Sequence, residues 1–209
     1  MSGPTATPIL FGAAYSVYER VVRLALEEKG VDYRLEEIDI FAEGGPPASY
    51  EQRQPFLKIP AFEHDGFRLY EAAAITRYID AALPGPALMP ADLRQRARAD
   101  QIIGILDSYA YRNWVWDIYV ERTKPEPDEA KIAEALPRAE TCLAAIEALM
   151  EGDEFFLGHA PTLADLHALP MLDHLRRTPE GERLLADRPR WRNWWGLMSE
   201  RPSMAATGA

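Results

Sequence analysis

The chain has almost no cysteine. Cys142 is the only one, so no internal disulfide can form, and a reducing compartment, the cytoplasm, is the expected location. No apolar run approaches the roughly 20 residues that a membrane-spanning helix requires. Residues 1–8 lack a basic patch followed by an apolar stretch, so they give no sign of a secretory leader. Positive charge is also scarce: 23 Lys and Arg against 33 Asp and Glu leave a net charge of −10. Such a chain repels phosphate backbones, which argues against nucleic acid as a partner unless a basic patch exists. Arg94, Arg96 and Arg98 alternate with neutral residues and are followed by Asp100, the pattern of a solvated helix face. His167 and His174, with Asp165 and Asp173, do not match a metal-ligand pattern, so no metal is expected. Internal repeats and low-complexity segments are absent as well.

What is present is the composition of a soluble globular chain, 47 % apolar and 27 % charged over 209 residues, enough for one large core or two smaller ones. One segment, Leu83-Pro84-Gly85-Pro86-Ala87-Leu88-Met89-Pro90, can neither continue a helix nor join a sheet. It predicts a linker over 84–90 between a domain at 1–83 and another at 91–209. In the first, the apolar run 9–12 ends at Gly12 as a buried strand, 16–29 forms a helix closed by Gly30, and 31–40 forms a second strand, a βαβ unit. A loop spans 41–54. Two short runs, 59–63 and 67–70, flank His64-Asp65-Gly66 as a hairpin. A helix over 71–82 carries Ala74, Ile75, Tyr78 and Ile79 on one face. This order describes an α/β domain with a four-stranded mixed sheet, the thioredoxin-like arrangement. The second domain reads as all-helical: a long helix over 92–121, a break at Lys124-Pro125-Glu126-Pro127, then a seam of Ile132, Leu136, Ala139, Leu143, Ile146 and Met150 interrupted by Pro137. Cys142 lies in that helix as a small buried filler. Further helices follow over 162–177, 181–186 and 190–200.

Four places carry candidate chemistry, each with a structural alternative. Ser16, with Glu19 three residues later, has the form of a capping box at a helix start. The same geometry lets a serine hydroxyl donate to an anion such as a bound thiolate, helped by the positive helix end. Lowering a thiol from a pKa of roughly 8.5 by about two units needs about 2.7 kcal/mol. One charge-assisted hydrogen bond supplies roughly 1.5–3 kcal/mol and a helix end about 0.3–1 kcal/mol. Ile59-Pro60 opens a strand, where proline fits simply as a residue without a donor; a cis bond there would leave the Ile59 amide and carbonyl open to an extended peptide. Glu71 ends a strand and begins a helix, where a carboxylate suits the dipole and could equally meet a ligand ammonium. Thr162 with Asp165 reads as a helix cap.

Taken in order, these features resemble the cytosolic glutathione transferase family over essentially the whole chain. Gln54-Pro55-Phe56-Leu57-Lys58-Ile59-Pro60-Ala61-Phe62 looks like the family's approach to a cis-proline, Leu69-Tyr70-Glu71-Ala72 like its glutathione-binding strand-to-helix turn, and Thr162 to Asp165 like its capping box. The resemblance is to serine-type members of bacterial or phi/theta-like kind, which place an arginine four residues after the serine, as Arg20 stands after Ser16. It implies a cis Pro60, and glutathione held by Ile59, Pro60, Lys58, Glu71 and Ala72. It implies a thiolate stabilised by Ser16, with adjacent Tyr15 as the alternative and Tyr18 as a further one. A hydrophobic electrophile would meet Tyr109, Arg112 and Trp116, at helical spacing with Tyr119, although aromatics so spaced also serve as core. A homodimer is implied too. Two positions depart from the family: Ala72 stands where Ser or Thr is usual and Leu57 where glycine is usual. The loop 41–50 also lacks the His or Lys that many members direct at the glycyl carboxylate. These departures keep open a non-catalytic binding or assembly module, beside glutathione-dependent peroxide reduction or isomerisation.

Overall fold

A computed structural model describes residues 6–208; of the stretch 1–8 read for a leader, residues 1–5 lie outside the described ones. Two compact units divide the chain, one running up to Ala87 and resumed at Pro202, the other spanning Leu88–Arg201.

The first unit is built on β1 (Ile9–Gly12), β2 (Arg34–Glu37), β3 (Ala61–His64) and β4 (Phe67–Tyr70), ordered β2-β1-β3-β4. β2 pairs parallel to β1, and the other two pairings are antiparallel. β2 is shorter than the run 31–40 because β1 offers it only four positions, closed at either end by Arg34 N–H to Pro8 O and Ile38 N–H to Gly12 O. The β3–β4 turn has Asp65 at φ 50° and Gly66 at φ 74°, the left-handed pair that an Asp-Gly hairpin requires. Helix α1 (Val17–Lys29) starts at Ser16 and ends at Gly30, whose φ of 64° lets its N–H reach Glu27 O. Its Val21, Leu24, Ala25 and Leu26 are buried, as are Ile75 and Ile79 of the neighbouring α2 (Ala72–Ala82).

The second unit begins with α3 (Leu93–Ile105), capped by Asp92, which accepts the Arg94 and Gln95 amides at 2.9 and 3.0 Å. Where the sequence predicts one helix over 92–121, the hydrogen bonding widens into a π-helical stretch over Leu106–Val120. Within it the Asn113 side chain donates to Tyr109 O at 2.7 Å; competition of this kind for a backbone carbonyl perturbs the α-helical ladder. The remaining helices of this unit are α4 (Glu129–Leu149, with Pro137 inside), α5 (Leu163–Arg176), α6 (Pro179–Ala186) and α7 (Pro189–Ser199). The last two start earlier than their apolar patterns suggest because proline suits the first helical position. Trp114, Trp191, Trp194 and Phe156 fill the core; Phe156 stacks on Trp194 at 4.9 Å, and Trp191 meets Trp114 edge-on at 6.0 Å.

The chain then returns. Helix α8 (Pro202–Thr207) belongs to the first unit and packs on α1. Arg23 there donates to Ala206 O at 2.9 Å and Arg20 to the Met204 sulfur at 2.8 Å. The expected assignment of everything from 91 to 209 to one domain is therefore corrected at its end: donors on α1 capture the last helix.

Asp165 is the polar centre of the second unit. Fully buried, it accepts the Thr162 amide and hydroxyl at 2.7 and 2.8 Å, the Phe156 amide at 2.9 Å and the Trp194 indole at 2.7 Å. It thus ties the start of α5 to the preceding loop and to α7. Asp165→Ala orphans these donors in a dry interior. At about 1–3 kcal/mol for each unsatisfied group, the expected loss is at least about 3 kcal/mol, read from urea midpoints. A loss under about 1 kcal/mol would show that water replaces the carboxylate.

Candidate active site

Strand register collects the chain crossings at one end of the sheet. Phe11 pairs with Ala61, Ala61 with Tyr70, and Gly12 with Glu37. The turn to Ser16 after β1, the entry through Ile59-Pro60 into β3, the exit through Glu71 from β4 and the connection following β2 therefore share that end. Phe11, Ala13, Tyr50, Ile59 and Ala61 form one buried cluster beneath them.

Ser16 is half-buried with extended backbone, φ −82° and ψ 123°. Its Oγ accepts the Glu19 amide at 3.3 Å, and its own amide donates to Ala13 O at 2.9 Å. The capping box expected from the sequence is thus only half made, because the Glu19 carboxylate does not reach back to Ser16. That carboxylate is fully buried, with no hydrogen bond among the described residues, and lies 3.7 Å from Arg23 Nε. Gly12 is the reason: a Cβ there would stand 2.6 Å from Glu19 Cγ, so the strand's bare backbone leaves space into which the glutamate turns. Burial pushes Glu19 up to about 7, partly opposed by Arg23 and Arg20. The Ser16 hydroxyl, used only as an acceptor here, keeps its proton for another group.

Tyr15 is different. Its hydroxyl donates to Asp39 Oδ1 at 2.8 Å and accepts the Ile40 amide at 3.2 Å. Partial burial and the Asp39 carboxylate raise its pKa, so the phenol holds its proton, and that proton is directed at Asp39.

The Ile59-Pro60 bond is cis. The Ile59 side chain is buried, while its amide and carbonyl make no backbone hydrogen bond among the described residues. Lys58 is exposed and its carbonyl accepts the buried Tyr50 hydroxyl at 2.7 Å. Leu57 adopts φ 53°, a left-handed conformation that glycine takes without strain and leucine does not. Glu71 has φ 71° and an exposed side chain with no capping bond; its carbonyl takes the Ala74 and Ile75 amides. The Ala72 and Ala73 amides accordingly open α2 without backbone partners. Asp39, Tyr50 and the Gln54 side chain, which accepts the Phe56 amide at 2.6 Å, carry no local sequence signal of a role at this end of the sheet. Only the contact partners reveal them.

Comparison with known proteins fits this geometry. A family profile described as "Glutathione S-transferase, N-terminal domain" matches residues 10–87, and one described as "Glutathione S-transferase, C-terminal domain" matches residues 109–202. The chain belongs to the glutathione S-transferase family. It is 30 % identical to glutathione S-transferase F7 of Arabidopsis thaliana over 93 % of this chain and 95 % of that one. The crystal structure of glutathione transferase F7 from Populus trichocarpa superposes with a TM-score of 0.84 at 28 % identity, over 96 % of this chain and 97 % of the other. A glutathione S-transferase-I solved with lactoylglutathione gives a TM-score of 0.83 at 26 % identity, over 97 % and 98 %.

In the second unit of this transferase-family chain, Tyr109 and Trp116 lie on the π-helical stretch with 62 % and 38 % exposure. Arg112 is held by Asp117, its Nε 3.0 Å from the carboxylate. Tyr119, which shares their predicted spacing, instead stacks on His174 at 4.3 Å. No group of three or more potential metal-binding side chains occurs among the described residues.

Glu19 generates a pH prediction. Its proton is held more tightly in the folded chain, whose value is about 7 against the ordinary 4.5. The stabilisation linked to that proton is fully present below pH 4.5 and is lost as pH rises through about 7. Glu19→Gln removes the titration. Relative to wild type, the variant should gain on the order of 2–3 kcal/mol in urea-unfolding free energy across that window. A pH-independent difference would mean that the carboxylate is solvated.

Proposed function

We propose that this chain is a serine-type glutathione transferase in which the Ser16 hydroxyl stabilises the glutathione thiolate for attack on a hydrophobic electrophile. The observation that carries the assignment is the contrast between neighbours: Ser16 retains a proton to donate, whereas Tyr15 directs its own at Asp39. The helix start beside Ser16 adds a favourable field for an anion. The thiol proton leaves for solvent, the sulfur bonds to the electrophilic carbon, and a leaving group or an addition product follows. Ser16 donates a hydrogen bond throughout and is not consumed.

Glutathione binds at the shared end of the sheet. The unpaired Ile59 backbone groups meet the cysteinyl unit, with Pro60 fixing their presentation. Glu71 receives the γ-glutamyl ammonium, while the Ala72 and Ala73 amides receive its carboxylate. Lys58, exposed and without an ion pair among the described residues, is assigned the glycyl carboxylate. Tyr109, Arg112 and Trp116 are assigned to the electrophile. Serine at the helix start with Arg20 four residues on supports reading the chain as a serine type of bacterial or phi/theta-like kind. The exposed Phe56 and Tyr70, edge-on to each other at 6.1 Å, supply apolar surface for homodimerisation. The cytoplasm suits a chain with one buried thiol, pushed up to about 11 by burial.

Calorimetric titration with reduced glutathione, paired with turnover of chlorodinitrobenzene, tests this. Glu71→Ala should weaken binding about 10–100-fold, the equivalent of one charge-assisted hydrogen bond. Ser16→Ala should keep most of the affinity while raising the bound thiol's pKa and cutting neutral-pH turnover on the order of 100-fold. Absence of binding at millimolar glutathione would overturn the proposal in favour of a non-catalytic module. Turnover of peroxides or isomerisable substrates with none of chlorodinitrobenzene would redirect the chemistry but leave the thiol site intact.

A further inference from the structure

We propose that Tyr15 and Asp39 form a positioning pair that locks the connection after β2 onto the turn carrying Ser16, so that Tyr15 sets glutathione affinity through that connection without touching the sulfur. The inference rests on the reading of this end of the sheet as the glutathione site. It gives Tyr15 a role other than thiolate stabilisation.

The contacts are specific. One carboxylate oxygen, Asp39 Oδ1, accepts both the Tyr15 hydroxyl at 2.8 Å and the Phe41 amide at 2.9 Å. The phenol oxygen in turn accepts the Ile40 amide at 3.2 Å, and the Tyr15 and Phe41 rings meet at 5.5 Å. Three consecutive residues of the connection are therefore held by the residue immediately before Ser16. A phenol used in this way reaches a sulfur only by giving up a charge-assisted hydrogen bond.

The connection needs such a hold. Residues 38–47 form no helix or strand, and Gly44 and Gly45 both lie at positive φ. On its far side, the 3₁₀ turn Ala48–Gln52 carries Tyr50, whose hydroxyl holds the Lys58 carbonyl at 2.7 Å, next to Ile59. Ile40, whose amide the Tyr15 hydroxyl accepts, packs against the buried cluster that holds Tyr50 and Ile59, which links the Ser16 turn to the backbone assigned to the cysteinyl unit. Ordering this connection before the peptide arrives spares binding the cost of ordering it afterwards. Apparent affinity falls in proportion as the competent arrangement becomes less populated. Tyr15 is 46 % exposed, so removing its hydroxyl leaves no cavity in the core.

The test is steady-state kinetics with chlorodinitrobenzene, calorimetry with glutathione, and ultraviolet titration of the bound thiolate. The variants are Tyr15→Phe, Asp39→Ala, Asp39→Asn and the Tyr15→Phe/Asp39→Ala double, with Ser16→Ala as reference. Tyr15→Phe and Asp39→Ala should each raise KM and Kd for glutathione by about 3–30-fold, with kcat within about twofold and an unchanged thiol pKa. The double variant should be no worse than the poorer single. Asp39→Asn, which keeps an acceptor oxygen, should recover most of the affinity. A raised thiol pKa or a kcat reduced about tenfold in Tyr15→Phe would overturn the proposal by placing the phenol on the sulfur. Additive effects, or unchanged KM and Kd, would overturn it by dissolving the pair. Failure of the underlying site reading looks different: wild type binds no glutathione, or Ser16→Ala leaves the thiol pKa where it was.

Discussion

The pairing of Phe11 with Ala61 and of Ala61 with Tyr70 is the constraint on which the candidate site depends. Strand side chains alternate between faces, so a slip of one residue would turn the apolar set of β3 away from the core and move the Ile59 and Glu71 connections out of line with Ser16. The buried faces resist that slip. Leu10 and Phe62 are directly opposed and almost fully enclosed, and Ala61 sits in the cluster that also holds Ala13 and Ile59. Register and site are thus fixed by the same hydrophobic burial. The Ile59 and Glu71 connections gain their placement from neighbours buried beneath them.

A tension remains at the start of α1. Glu19 occupies the third helical position, where a carboxylate normally favours the helix and closes a capping box. Here it is turned inward, and burial works against its charge. The consequence is local. Ser16 caps one amide but receives nothing back from Glu19, and its hydroxyl remains free to donate. The Ser16 amide is satisfied by Ala13 O instead of by Glu19, so the inward turn of the glutamate leaves no backbone donor of the cap unpaired.

The sequence made some of this readable. The Asp65-Gly66 turn is a local backbone requirement, and the proline-rich stretch 83–90 can form no regular element, so both could be inferred without tertiary information. Thr162 and Asp165 lie three residues apart in the chain, and their hydrogen bonds follow that spacing. What escaped reading depends on contacts between distant residues. Tyr15 meets Asp39 across 24 positions and Arg20 meets Met204 across 184, with no periodicity linking either pair. The inward turn of Glu19 depends on the absence of a side chain at Gly12, on another element. The widening of the helix after Ile105 likewise has no compositional sign, since Asn113 is ordinary in a helix until its amide finds Tyr109 O.

The two departures from the family pattern fall on positions of the candidate site where the backbone, more than the side chain, is presented. Leu57 stands where glycine is usual and adopts φ 53°, the conformation that glycine would take freely. The substitution carries about 1–2 kcal/mol of conformational strain, yet the backbone path into Lys58, Ile59 and Pro60 is kept, with the Lys58 carbonyl still anchored by Tyr50. Ala72 lacks the hydroxyl of the usual serine or threonine, but its amide still opens α2 beside the exposed Glu71. A peptide-like ligand bound through main-chain groups at one end of a sheet and a helix start is recognised mostly by geometry that the fold supplies. Side-chain losses at such a site reduce affinity by the bonds they remove, and they leave the register that creates the site untouched. On this reasoning the two substitutions change side chains at the candidate site, while the placement of Ser16 at that end of the sheet follows from strand pairing that neither substitution reaches.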